Sequence, residues 1–186
     1  MMQVKGSAIS SLPAFITEKH GQAGLTRWMD SLSPEGKKIY STKVLANNWY
    51  SLKDAMLDPT AKACELFYRG DVKGAWDMGR FSADYGLNGI YKIFVKVGSP
   101  EFIIKRGSTI IAGYYQPCKL EVVETGPKNV VLHLSQFPEI TPHLEARICG
   151  WIQRALEING CKGVMPKITK SITRGNPFTE FNITWI

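Results

Sequence analysis

Histidine is scarce in this chain: three residues in 186, standing far apart as His20, His133 and His143. The four cysteines, Cys64, Cys118, Cys149 and Cys161, are equally scattered, with no CxxC, HxxxH or HExxH spacing anywhere. Zinc needs soft or imidazole ligands gathered on one turn or two facing segments, so no metal site is expected. A GxSxG elbow is also missing, and no Ser or Cys stands in a recognisable nucleophile motif. Cys149 beside Trp151 reads as a small buried hydrophobe. Gly86-Leu87-Asn88-Gly89 matches neither GxGxxG nor GxxxxGK[ST], which removes the phosphate-cradle reading. The expectation is a chain that is not an enzyme and carries no cofactor.

Long apolar runs are lacking too. None approaches the roughly 20 residues of a membrane span, and the first 15 residues show no long apolar stretch followed by a small-residue cleavage site. A cytoplasmic protein with free thiols is expected. Basic residues outnumber acidic ones, 23 to 16, for a net charge of +7. No run of Lys or Arg exceeds two residues, however (Lys37-Lys38, Lys105-Arg106), so the charge reads as a solubilising surface and nucleic acid is not an expected partner. Tyr91, Lys92, Phe94 and Lys96 could stack bases, but core aromatics with solvated lysines suit that spacing better.

What is present is a globular composition, 44% apolar, in a length that suits one domain. The spacing predicts a helix over 4–19 with a kink near Pro13, ended by His20-Gly21. A second helix follows over 22–31 and a short third one is started by Ser33-Pro34. Another helix runs from Ser51–Asp54 towards Phe67. After Gly70-Asp71 a helical pattern occupies 72–96, interrupted around 86–89, with Ala75, Met78, Gly79, Ser82 and Ala83 as a small-residue face. Ser99-Pro100-Glu101 starts a helix reaching about Tyr115, apolar around most of its circumference (Phe102, Ile103, Ile110, Ile111, Tyr114) and therefore expected to be buried.

From Lys119 the period changes to two. Two strands joined at Gly126–Asn129 are followed by a helix from Pro142 to Asn159. Its inward residues are Leu144, Ile148, Trp151, Ile152, Ala155 and Leu156; Glu145, Arg147, Arg154 and Glu157 are expected outside. Strands through Ile168–Ile172 and Phe181–Trp185 complete the unit. The fold class is thus α+β in a single domain: a helical part (1–116), then a ββαββ part (117–186) with a four-stranded antiparallel sheet.

Several segments carry a resemblance: FSADYGLNGIYKIFVKVGSP, GYYQPCKLEV, LHLSQFPEITP, CGWIQRALEINGCKGV and TRGNPFTEFNITW. In this order they resemble the ligand-binding superfamily of nitric oxide signalling and Golgi transport, over roughly residues 4–185. Its members are haem nitric-oxide-binding domains, four-vinyl-reductase domains and small TRAPP tethering subunits, and stand-alone bacterial members are the most similar. Departures accompany the likeness. The helix over 100–115, where haem-binding members place a histidine, has none, and its middle reads Lys105-Arg106-Gly107. The YxSxR motif is missing. Thr179 stands where four-vinyl-reductase domains often have a cysteine, and no cysteine stands near 77–95, where TRAPP-type members accept a lipid.

The resemblance implies a haem-free sensory or regulatory domain that binds a small hydrophobic ligand between the helical layer and the sheet. The other reading is a scaffold that works through protein–protein contacts around a filled core. The helices over 77–97 and 99–115 carry surplus apolar surface, so Phe81, Tyr85, Phe94, Phe102, Ile110 and Tyr114 are the candidate pocket, with the two tyrosines as polar contacts. A space below about 100 Å³ there would favour the scaffold, since ligand sites usually exceed about 300 Å³. A homodimer, or a regulatory protein partner, is expected through the apolar first helix (Val4, Ile9, Leu12, Phe15, Ile16).

Overall fold

The computed structural model describes residues 1–87 and 100–186, with side chains described over 1–86 and 104–186. The chain opens with a short strand, β1 (Gln3–Lys5), where the sequence pattern predicts helix. Val4 pairs there with both Tyr50 and Tyr115, making β1 the middle of a three-stranded antiparallel sheet, β2 (Trp49–Ser51), β1, β3 (Tyr115–Gln116). Two partners supply the backbone hydrogen bonds that a first helical turn would lack.

Helices α1 (Gly6–Ile9) and α2 (Leu12–Ser31) follow. Within α2, Gly21 adopts φ 68° and ψ −176°, a left-handed conformation that glycine tolerates. The helix therefore breaks at the point where the sequence places an end. Trp28 is fully buried beyond it and donates its indole N–H to the Pro59 carbonyl at 2.9 Å. The Ser33 hydroxyl accepts from the Gly36 N–H to start α3 (Pro34–Tyr40). Ser51 and Asp54 form a reciprocal cap ahead of a π turn (Lys53–Leu57), which leads into α4 (Asp58–Tyr68). Asp71 accepts from the Lys73 N–H at the start of α5 (Lys73–Leu87).

Helix α6 (Pro100–Ala112) starts at the expected proline but is one-sided. Ile104, Ser108 and Ile111 are buried, whereas Lys105, Arg106 and Thr109 are exposed. The expectation of burial on most sides is corrected by this face, because α6 has the sheet and one helix on one side only. Strands β4 (Lys119–Gly126) and β5 (Asn129–Ser135) make the predicted hairpin, and α7 (Pro142–Asn159) carries a Thr141 cap. Strands β6 (Met165–Lys170) and β7 (Thr179–Thr184) complete an antiparallel sheet in the order β4-β5-β7-β6. Ile172 falls in a 3-10 turn after β6 rather than in the strand.

The core-facing row of the sheet is in register: Leu120–Leu134, Val122–Leu132, then Leu132–Phe181 and Val130–Ile183. Leu134, Val130, Phe181 and Ile183 are fully buried. His133 takes the other face, as its alternation predicts, and stacks on Phe178 while bonding Glu180 at 2.8 Å. The architecture is the α+β arrangement expected, with α6 and α7 laid on the sheet. Val4, Ile9, Leu12, Phe15 and Ile16 are all buried within the chain's own core. The apolar surface that called for a dimer is thus covered internally. All four cysteines are free.

Candidate functional site

Helix α5 carries the small-residue face, and the structure shows what approaches it. A Cβ on Gly79 would lie 1.9 Å from the Arg147 carbonyl oxygen, and one on Gly150 would lie 2.2 Å from that of Trp76. The two helices touch backbone to backbone, so this face serves helix packing and not a ligand. Arg80 clamps Glu157 through two bonds of 2.8 Å, and Arg154 Nε grips both Asp84 oxygens at 2.9 and 3.0 Å.

Two charges on α7 are inside, contrary to the outward placement expected from the helical stripe. Glu145 and Arg147 are each 3% exposed. Glu145 accepts hydrogen bonds from the Ser171 hydroxyl (2.9 and 2.8 Å), from Thr173 and from Thr179. Thr179 thus ties α7 to the final hairpin. Arg147 donates to Thr60 Oγ1 at 3.0 Å and to the Ala8 carbonyl at 3.1 Å. Both acceptors are neutral, and among the described residues no carboxylate pairs with this guanidinium. Helical spacing placed these residues off the apolar stripe. A buried charge needs specific hydrogen-bond partners, and α4, α1 and the 171–179 segment supply them from outside the helix.

The C-terminal end of α5 borders open space. A cleft of about 840 Å³ lies between the end of α5 (Tyr85, Gly86), the exposed side of α6 (Lys105, Arg106, Thr109, Ile110), the residues after it (Gly113, Tyr114), and β1–α1 with the loop that follows α3. Lys5, Ser7 and Ser10 come from the N-terminal segment, Ala46 and Asn47 from the loop, and Trp151 from α7. The floor is held by main-chain bonds: Lys5 N–H to the Tyr114 carbonyl and Gly6 N–H to that of Asn48, both 2.8 Å, and Ser7 N–H to that of Ala46 at 3.0 Å.

Of the six candidate pocket residues, Tyr85, Ile110 and Tyr114 line this cleft. Phe81 does not: it packs edge-on against Phe15 with ring centres 5.4 Å apart, and stacks on Tyr85 from beneath, at 6.1 Å. Phe94 and the Phe102 side chain lie outside the described residues. The sequence reading missed Lys5, Ser7, Ser10 and Asn47, which reach the cleft only because β1 joins a sheet with residues far along the chain. Lys105-Arg106 stood in the sequence as the polar interruption of an apolar helix, a signal that this side of α6 is not core.

No family model matches the chain, and no curated protein matches it. The fold has counterparts among solved structures. An H-NOX protein from S. oneidensis in the Fe(II)NO ligation state superposes with a TM-score of 0.74 at 11% identity, over 98% of this chain and 99% of that one. An unliganded Fe(II) H-NOX protein from K. algicida gives 0.71 at 9% identity, over 98% and 96%. An H-NOX from Shewanella woodyi gives 0.68 at 15%, over 96% and 93%. The architecture is therefore H-NOX-like. These structures lend no support to the four-vinyl-reductase-like or TRAPP-like parts of the resemblance.

Haem is the group this fold implies, and the donor set does not fit a haem held by histidine. None of the described cleft residues is His, Cys or Met, and residues 87–103 contain none of them in sequence; those side chains, with tyrosine, are the usual protein ligands of haem iron. His20 stacks on Phe67, His133 bonds Glu180, and His143 lies 3.4 Å from the Gly70 carbonyl. Among the described residues no group of three or more His, Cys, Asp or Glu could hold a metal, and no helix is long and apolar enough to cross a membrane.

Proposed function

We propose that this chain is a non-catalytic sensory or regulatory domain that takes a small, largely apolar ligand in the cleft between α5, α6 and the N-terminal segment, without haem. The cleft itself carries the reading. At about 840 Å³ it sits inside the usual range of small-molecule sites, about 300–1,000 Å³; it lies to one side of the space between α6, α7 and the sheet, where the void at Ile104, Leu132 and Trp151 holds only about 20 Å³. Tyr85, Ile110, Tyr114 and Trp151 supply apolar wall, and the tyrosine hydroxyls supply orientation. The thiols favour a non-catalytic role: burial pushes Cys64 up to about 11 and Cys118 and Cys149 up to about 12, so all three are protonated at neutral pH.

Haem titration followed by absorbance, with native mass spectrometry of the freshly purified protein, tests both halves. The expected result is no sharp Soret band at one-to-one stoichiometry, together with a small organic mass on the folded protein. A stoichiometric Soret complex overturns the haem-free reading. A protein that carries and accepts no small molecule returns the scaffold reading to the front.

A further inference from the structure

We infer that the cleft selects a ligand that joins an anionic head to an apolar or aromatic body; this deepens the function proposed above and rests on it. The described lining contains three cations, Lys5, Lys105 and Arg106, and no carboxylate. Lys5, whose ammonium lies 5.8 Å from the centre of the Trp49 ring, comes from β1 and Lys105 from α6, so cations reach the space from two separate walls. A concave site lined with one sign of charge between low-dielectric walls focuses its field and concentrates counter-charged ligands. A wholly neutral occupant would bring nothing to pair with the ammonium groups it desolvates, and burying such groups unpaired is costly.

The second observation lies behind the wall. Tyr114 and Trp151 line the cleft and also line a small internal void of about 20 Å³, into which Arg147 faces. Arg147 is 3% exposed and donates to two neutral oxygens, Thr60 Oγ1 and the Ala8 carbonyl, and no carboxylate pairs with it among the described residues. Glu145, on the same helix, is occupied by the Ser171, Thr173 and Thr179 hydroxyls. A buried positive charge thus stands behind Tyr114 and Trp151, two residues of the cleft wall. Through its bond to the Ala8 carbonyl, Arg147 also fixes α1, whose Ser7 and Ser10 offer hydroxyls to the same space. The apolar side, with Tyr85, Ile110, Tyr114 and Trp151, accounts for the body of the ligand.

The test uses the full chain and three probes: dodecanoate, dodecanol and the neutral fluorophore N-phenyl-1-naphthylamine, whose displacement reports binding of the other two. Dodecanoate is expected to bind about tenfold or more tighter than dodecanol, the size of effect that one charge-assisted hydrogen bond supplies. Lys105→Glu combined with Lys5→Gln should abolish that preference while leaving dodecanol affinity in place. Lys128→Glu, an exposed change far along the β4–β5 turn, should leave the preference unchanged and so controls for net charge. Gly86→Leu should weaken all three probes, because a side chain at that position meets nothing within 4 Å and projects from a cleft-lining residue. Equal affinity for the acid and the alcohol, or a preference that survives Lys105→Glu with Lys5→Gln, overturns the anionic-head inference and leaves the cleft reading standing. Binding of none of the probes overturns both. Unfolding midpoints of each variant show that the comparison is made between folded proteins.

Discussion

Helix α5 has a seam and an open end, and they were built in opposite ways. Towards α7 it is packed backbone on backbone: Gly79 and Gly150 leave no room for a methyl group, and Arg80–Glu157 and Arg154–Asp84 close the ends. Its last turn, by contrast, carries Gly86, where an added Cβ would meet no described neighbour within 4 Å, and Tyr85, which is 52% exposed. The same residue type marks a close helix seam and the rim of an open cleft. Glycine in a helix thus records that a side chain is absent, and only the neighbour decides whether the absence admits another helix or leaves space for a ligand.

The largest expected effect breaks the element that serves both sides. Trp151 belongs to the seam helix, is 8% exposed and forms part of the cleft wall. Trp151→Ala should destabilise the fold by about 3–5 kcal/mol, as core aromatic truncations do, read from denaturant unfolding. A change below about 1 kcal/mol, under the range for a core aromatic, would mean the inward stripe of α7 is not core.

Next, the glycines themselves separate the seam from the open end. Gly150→Ala should cost about 1–3 kcal/mol or more through overpacking against the Trp76 carbonyl. Gly86→Ala should instead be neutral or stabilising by up to about 1 kcal/mol, because alanine is the better helix former and meets no obstacle. Similar losses at both positions would dissolve the contrast.

The smallest effect concerns acid. Burial alone would raise the Glu157 carboxyl, but hydrogen bonds from Arg80 and Arg154 outweigh it and hold the group below its ordinary value. A carboxyl depressed in the folded state contributes stability above its ordinary range, and that contribution is lost as pH falls through the folded value. The seam should therefore weaken on the acid side of about pH 4.5, the group's ordinary value. Glu157→Gln should flatten this limb of the stability profile. An unchanged slope in the variant would remove Glu157 from the acid response.

Much of the fold was readable because local signals agreed with it. The Ser33-Pro34 cap, the break at Gly21, the proline start of α6 and the hairpin turn at Gly126–Asn129 with its two strands appear where spacing and turn chemistry place them. The inward stripe of α7 was equally legible, because apolar residues at helical spacing have one place to go. Of the four candidate residues whose side chains are described, Tyr85, Ile110 and Tyr114 line the cleft, whereas Phe81 turns to Phe15. Periodicity says which residues leave a helix together, and it is silent on which neighbour meets them.

By itself, then, the sequence determined the α+β class, most of the element order and the absence of histidine from the helix over 100–115, all properties of local pattern and inventory. Tertiary structure alone decided the rest. It made residues 3–5 a strand, because Tyr50 and Tyr115 come to pair with Val4. It buried Glu145 and Arg147, because hydroxyls and a carbonyl from other segments satisfy them. And it drew Lys5 and Lys105 to one cleft. Each of these depends on contacts between residues distant in the chain, and their free energy is not written in any window of sequence short enough to read alone.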